Sequence, residues 1–192
     1  DRVLDLILAH TARGASLDLM SGAASLFAFE ALQSQAAQLA SGRCIFPGTG
    51  ADLALVGGDA DRPARNRLQT AFLAQQMADW LRSVAEVRAA AGQIPQGLAV
   101  LRNAAGEPVQ AVHGSFGLST DGLGLTPGNP LSFIQASESP AESQVLAQWF
   151  DAQWAALGAR AEAKARLLAE LEGLASPRDP ASVYAAVLFH LL

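Results

Sequence analysis

Between Val112 and Leu123 the chain runs Val-His-Gly-Ser-Phe-Gly-Leu-Ser-Thr-Asp-Gly-Leu. The apolar residues before it, Pro108 to Val112, read as a strand. The strand must end where Gly114 begins a turn of glycines, hydroxyls and one acid. Glycine there permits backbone conformations closed to other residues, and a turn of this composition can offer N–H groups and hydroxyls to an anion. The alternative is a plain Gly-rich connection between strands.

The rest of the chain supplies layers around that strand. Val3, Leu4, Ile7 and Leu8 have helical spacing, and Gly14 stops the run. Leu17 and Leu19 alternate with Ser16 and Asp18 in a strand over 15–20. Ser25 is placed to cap a helix reaching about Leu39. Arg43 to Gly58 holds two apolar runs, Cys44 to Phe46 and Leu53 to Val56, split by Pro47-Gly48-Thr49-Gly50. It reads as a hairpin or as one strand with a long irregular approach.

An amphipathic helix follows, with Leu68, Phe72, Leu73, Met77, Trp80, Leu81 and Val84 as its stripe. Strands are expected over 86–89 and 97–102. A hairpin around Gly106 leads into the strand of the opening motif, and a further strand is expected over 131–135. Ser139, Pro140 and Glu142 mark a helix start, with Val145, Leu146, Trp149, Phe150 and Trp154 as its apolar face. After Gly158 come a charged helix to Leu174, a linker with Pro177 and Pro180, and an apolar helix over 181–192. Its Tyr184, Val187, Leu188 and Leu191 want a partner.

Alternating helices and strands predict an α/β fold: a mixed sheet flanked by helices on both faces, followed by a helical C-terminal appendix. The expected division is a 1–157 domain and a 158–192 appendix leading to a downstream domain, so the chain reads as a piece of something longer. With 192 residues, 51% of them hydrophobic and 16% charged, it can bury a core. The net charge of −5 speaks against a stand-alone, non-specific nucleic-acid binder. No apolar run is long enough for a membrane span, and no membrane partner is expected. The single cysteine, Cys44, suits a reducing cytoplasm. The three histidines stand outside ligand-spaced motifs, so no metal and no cofactor is expected.

The opening motif resembles the Gly-Ser-Ser-Asn-Phe-Thr-x-Ser-Gly-Leu segment of phospholipase D-like nuclease domains. Gly114 and Ser115 match its first positions, Gly117 stands in place of the Asn, and Leu118 to Leu123 continue in register. That family carries a His-x-Lys-x-x-x-x-Asp motif upstream. Its histidine attacks phosphorus, a second histidine protonates the leaving oxygen, and lysines hold the phosphate oxygens. Here Pro95 occupies the histidine place, Gly97 the lysine place, and Arg102 falls where the acid would be. The resemblance therefore implies a scaffold without its catalytic set over about 1–157.

The tail from Tyr184 to Leu192 is similar to the segment that leads toward the ATPase core in bacterial SNF2-type helicases with this domain at their N-terminus. Such helicases often serve defence systems. The implied role is a non-catalytic accessory domain of a DNA helicase or translocase, contacting DNA or a partner subunit. No ATP-binding loop is present, so ATPase activity would belong to the parent protein.

Arg62, Arg65 and Arg67, with Ser115, are the nucleic-acid candidates; the arginines could equally pair with Asp59 and Asp61. His113 and Ser115 are the only, and weak, catalytic candidates. Two other readings stand beside this one: an active phosphodiesterase or nuclease with displaced residues, and a purely structural protein-interaction module.

Overall fold

A computed structural model describes residues 2–48, 55–57 and 67–176, with Arg67 and Leu68 described by backbone only. The element order is α1 (Val3–His10), β1 (Ser16–Met20), α2 (Leu26–Ala36), β2 (Ser41–Pro47), α3 (Arg67–Ser83), β3 (Ala85–Ala90), β4 (Gly97–Arg102), β5 (Pro108–Gly114), β6 (Ile134–Ala136), α4 (Pro140–Leu157) and α5 (Ala161–Ala175). The fold is α/β, with one mixed six-stranded sheet in the order β3-β2-β1-β4-β5-β6. β1, β2 and β3 run parallel, and β4, β5 and β6 extend the sheet antiparallel from the other side of β1. The helical crossovers α2 and α3 make the parallel half; the turn at Gly106 makes the β4–β5 hairpin.

The period-two alternation of the strands builds a core on each face. Leu17, Leu19, Cys44, Phe46, Val87, Leu101 and Val112 point to one side and pack with buried residues of α1, α2, α3 and α5. Ile45, Leu98, Val100 and Ala111 point to the other, where Ala147 and Phe150 of α4 cover them. Helices thus lie on both faces, as the sequence predicts. α5 follows the expected domain limit at 157, yet its Ala163, Leu167 and Leu171 are buried in the first core.

Several details differ from the sequence reading. Phe72 is 58% exposed; the buried side of α3 is Leu73, Ala74, Met77, Ala78 and Leu81. On α4, Val145 and Trp149 are 64% and 45% exposed, while Ser143, Ala147 and Phe150 face the sheet. Alanine and serine let α4 lie close on the strands, so its buried face is centred on small residues rather than on the largest ones. The last strand is only Ile134–Ala136. Leu131 sits instead in a turn, where Asn129 Oδ1 accepts its N–H at 2.9 Å. β2 begins at Ser41, just after α2, and is one strand paired on both sides. Leu53, Ala54, the Pro177–Pro180 linker and the 181–192 helix lie outside the described residues.

Four charged side chains tie α4 to the sheet, a cluster unseen in sequence because its members are far apart. Asp18 on β1 is 1% exposed. It accepts from Arg43 Nε and Nη2 at 2.6 and 2.7 Å and from Arg102 Nε at 2.8 Å. Both arginines also reach Asp151 on α4. Burial alone would lower the Arg43 pKa, but the bonds to Asp18 and Asp151 outweigh it and the net shift is upward. The Arg43 guanidinium also lies 5.1 Å from the Phe150 ring centroid and 5.6 Å from that of Trp154.

Candidate functional site

The carboxyl ends of β1 and β5 and the approach to β4 surround a cleft of about 600 Å³. β1 is the strand from which the sheet grows in opposite senses, and crevices at such switch points are common ligand sites in α/β sheets. Gly22 and Ala23 line one wall, Ile94 and Pro95 another, and Ser115 to Gly117 a third. Asp121, Asn129 and Ser132 complete it. The β4–β5 ladder brings Gly97 beside Gly114, its register partner.

Glycines make the cleft walls by close backbone approach. A Cβ on Gly97 would stand 2.4 Å from the Phe116 carbonyl oxygen and 2.9 Å from its ring. A Cβ on Gly22 would stand 2.8 Å from the Ile94 carbonyl oxygen. At Gly122 it would stand 2.4 Å from the Gly117 oxygen. Real side chains do not fit such spaces. Position 97 is thus closed to any side chain by the Phe116 backbone.

The turn's polar groups are largely committed within the protein. Ser21 Oγ accepts from Leu118 N–H at 2.7 Å and from Ala23 N–H at 3.1 Å, and donates to the Ala23 carbonyl. Gly122 N–H donates to Ser119 Oγ, Ser115 N–H to the Phe133 carbonyl, and Phe116 N–H to the Gly114 carbonyl. These bonds rigidify the turn and remove donors that an incoming anion would need. The lining includes one charged side chain, Asp121, and neither lysine, arginine nor histidine. This is poor chemistry for a phosphodiester, whose charge calls for cations or free N–H groups.

Compared with known proteins, the chain matches no family model and no curated sequence.

The two weak catalytic candidates do not converge. Ser115 opens into the cleft, whereas His113 lines a separate groove of about 410 Å³ between β5, β6 and α4, with Glu142 and Val145. Arg102 lies at the far end of β4, neutralised by Asp18 and Asp151, and takes no part in the cleft. Arg62 and Arg65 lie outside the described residues; Arg67 opens α3, with its side chain outside them. Among the described residues no group of three His, Cys, Asp or Glu side chains could hold a metal ion, and no helix is long and apolar enough to cross a membrane.

Proposed function

We propose that this chain is a non-catalytic phospholipase D-like module of a larger SNF2-type DNA helicase or translocase, contacting DNA or a partner subunit. The supporting observation is the meeting of Pro95 and Ser115 across one cleft that has no histidine or cation in its lining. Attack on phosphorus needs a nucleophile activated in a positive, hydrogen-bonding pocket. The cleft at the strand ends lacks each of those groups in its lining. The module's contact with DNA would then run through Arg62, Arg65 and Arg67, and not through the cleft.

Two measurements test the reading. The purified chain should leave bis(p-nitrophenyl) phosphate and plasmid DNA uncut; cleavage abolished by His113→Ala or Ser115→Ala would overturn it. DNA affinity should fall with salt, at a log–log slope of about 0.9 per phosphate neutralised. Replacing the three arginines by alanine should flatten that slope. A second reading, a protein-interaction module, is favoured by the exposed apolar residues around β6, and binding of a partner without salt dependence would select it.

A further inference from the structure

The basic side chains are not partnered alike. Arg2, Arg43, Arg82 and Arg102 each hold a carboxylate. Arg88, Arg160 and Lys164, the chain's only lysine, make no ion pair among the described residues, and all three line one groove. This groove, of about 440 Å³, lies between β3 and the start of α5 and shares no residue with the cleft at the strand ends. Glu86 is the one carboxylate in its lining, so the groove has a surplus of two positive charges in a protein of net charge −5. Like charges around one space repel, and an anion among them relieves that cost.

Arg88 is the fixed member of the set. It is half-buried, its guanidinium lies 4.1 Å from the Trp154 ring centroid, and its Nη1 donates to the Trp154 carbonyl. Stacking and that bond hold the planar fork in place. Its Nε and Nη2 have no acceptor among the described residues. Arg160 is the N-cap residue of α5 and Lys164 follows in the first turns of the helix. No side chain caps α5, so N–H groups of its first turn add donors beside the cations.

We propose that this groove binds the phosphoryl group of a small phosphate monoester. Nε and Nη2 of Arg88 take two phosphate oxygens as a fork, and Lys164 and Arg160 neutralise the rest of the dianion. The space is larger than a phosphoryl group and is of small-molecule size. Ala159, Ala165 and Leu168 give it apolar wall for the organic part of the ligand. A polynucleotide would lay further phosphates against a chain of net charge −5, whereas a small dianion feels little beyond the groove. The inference is independent of the phospholipase D-like reading.

The test is isothermal titration calorimetry of the 192-residue chain at low salt with phenyl phosphate, inorganic phosphate and a single-stranded DNA oligonucleotide. Phenyl phosphate should bind one to one with a Kd below about 1 mM, and inorganic phosphate more weakly. Arg88→Gln should weaken phenyl phosphate at least about tenfold. Lys164→Gln, whose side chain makes no hydrogen bond among the described residues, should weaken it at least about threefold and leave the circular dichroism spectrum unaltered, which covers the case in which Arg88→Gln fails to fold. Glu86→Gln removes the opposing charge and should tighten binding, a gain that damage to the fold does not produce. No saturation by about 10 mM phenyl phosphate overturns the proposal, as does binding indifferent to Lys164→Gln and Glu86→Gln. Equal affinity for inorganic phosphate overturns the monoester assignment, and so does tighter binding of the oligonucleotide that is lost in Lys164→Gln.

Discussion

Arg102 on β4 donates its Nε–H to Oδ2 of Asp18 on β1 at 2.8 Å, and the acceptor carboxylate is 98% shielded at the side chain. Arg43 holds the other oxygen at 2.6 Å, so a single buried acid serves two guanidinium groups. Removing one member of a buried ion pair leaves uncompensated charge and costs about 3–5 kcal/mol. Asp18→Ala should therefore lower stability by about 3 kcal/mol, the low end, because Asp151 still faces both arginines. Urea unfolding checks it. A loss under about 1 kcal/mol would mean that the arginines turn to water without penalty.

Cys44 gives a pH-dependent prediction. Burial, with a smaller contribution from the Asp18 charge, pushes its thiol up from 9.0 to about 12. Between those values the unfolded chain releases the thiol proton while the folded chain keeps it. The stabilisation is complete below pH 9 and is lost as pH rises, at up to about 1.4 kcal/mol per pH unit from this group. Cys44→Ala should show a shallower decline of stability above pH 9. The native thiol should also resist a thiol reagent at pH 8 and react once urea exposes it.

Much of the architecture could be read from local patterns. Ser139 does cap α4, its hydroxyl accepting the Glu142 N–H, and Pro140 opens the helix. The Gly106 turn joins β4 and β5 as expected. What failed to show was long-range. Periodicity names an apolar stripe but not its rotation on the sheet, so Phe72, Val145 and Trp149 belong to the stripes by spacing and yet lie exposed in the folded chain. Asp18, Arg43, Arg102 and Asp151 belong to four separate segments, and only strand pairing together with the packing of α4 on the sheet unites them. At the cleft, the sequence shows that Pro95 and Gly97 bring neither a base nor a cation. The closure of that space by Phe116 is visible only in three dimensions. Ser25 occupies the cap position of α2 as read, yet its buried hydroxyl makes no hydrogen bond.

Gly97 should tolerate no side chain. A methyl group there meets the Phe116 carbonyl oxygen at 2.4 Å, and a backbone oxygen cannot rotate away as a side-chain tip can. Gly97→Ala should cost about 3 kcal/mol, the upper part of the range for overpacking. Gly106→Ala is the control: φ is +83° with no atom within 4 Å, so only conformational strain of about 1–2 kcal/mol applies. Urea midpoints of the two variants should differ in that order. The pair Pro95→His, Gly97→Lys should accordingly unfold the chain more readily and restore no phosphodiester cleavage.

Gly114 makes the sharpest local prediction, because it governs how β6 is attached. Its φ is +136°, and an added Cβ would stand 2.1 Å from the Phe133 carbonyl oxygen and 2.9 Å from the Ile134 Cα. The obstructing atoms all belong to the segment that enters β6, a three-residue strand paired only with β5. Peeling that strand away is the cheapest relief, since β1, β2 and β4 are held on both sides and β6 is not. Gly114→Ala should thus act locally. Hydrogen exchange at the Ser115 amide, which donates to Phe133, should quicken by at least about tenfold, while amides of the β1–β4 ladder keep their protection. Equal acceleration across the whole sheet would show instead that β6 unfolds only with the rest of the domain.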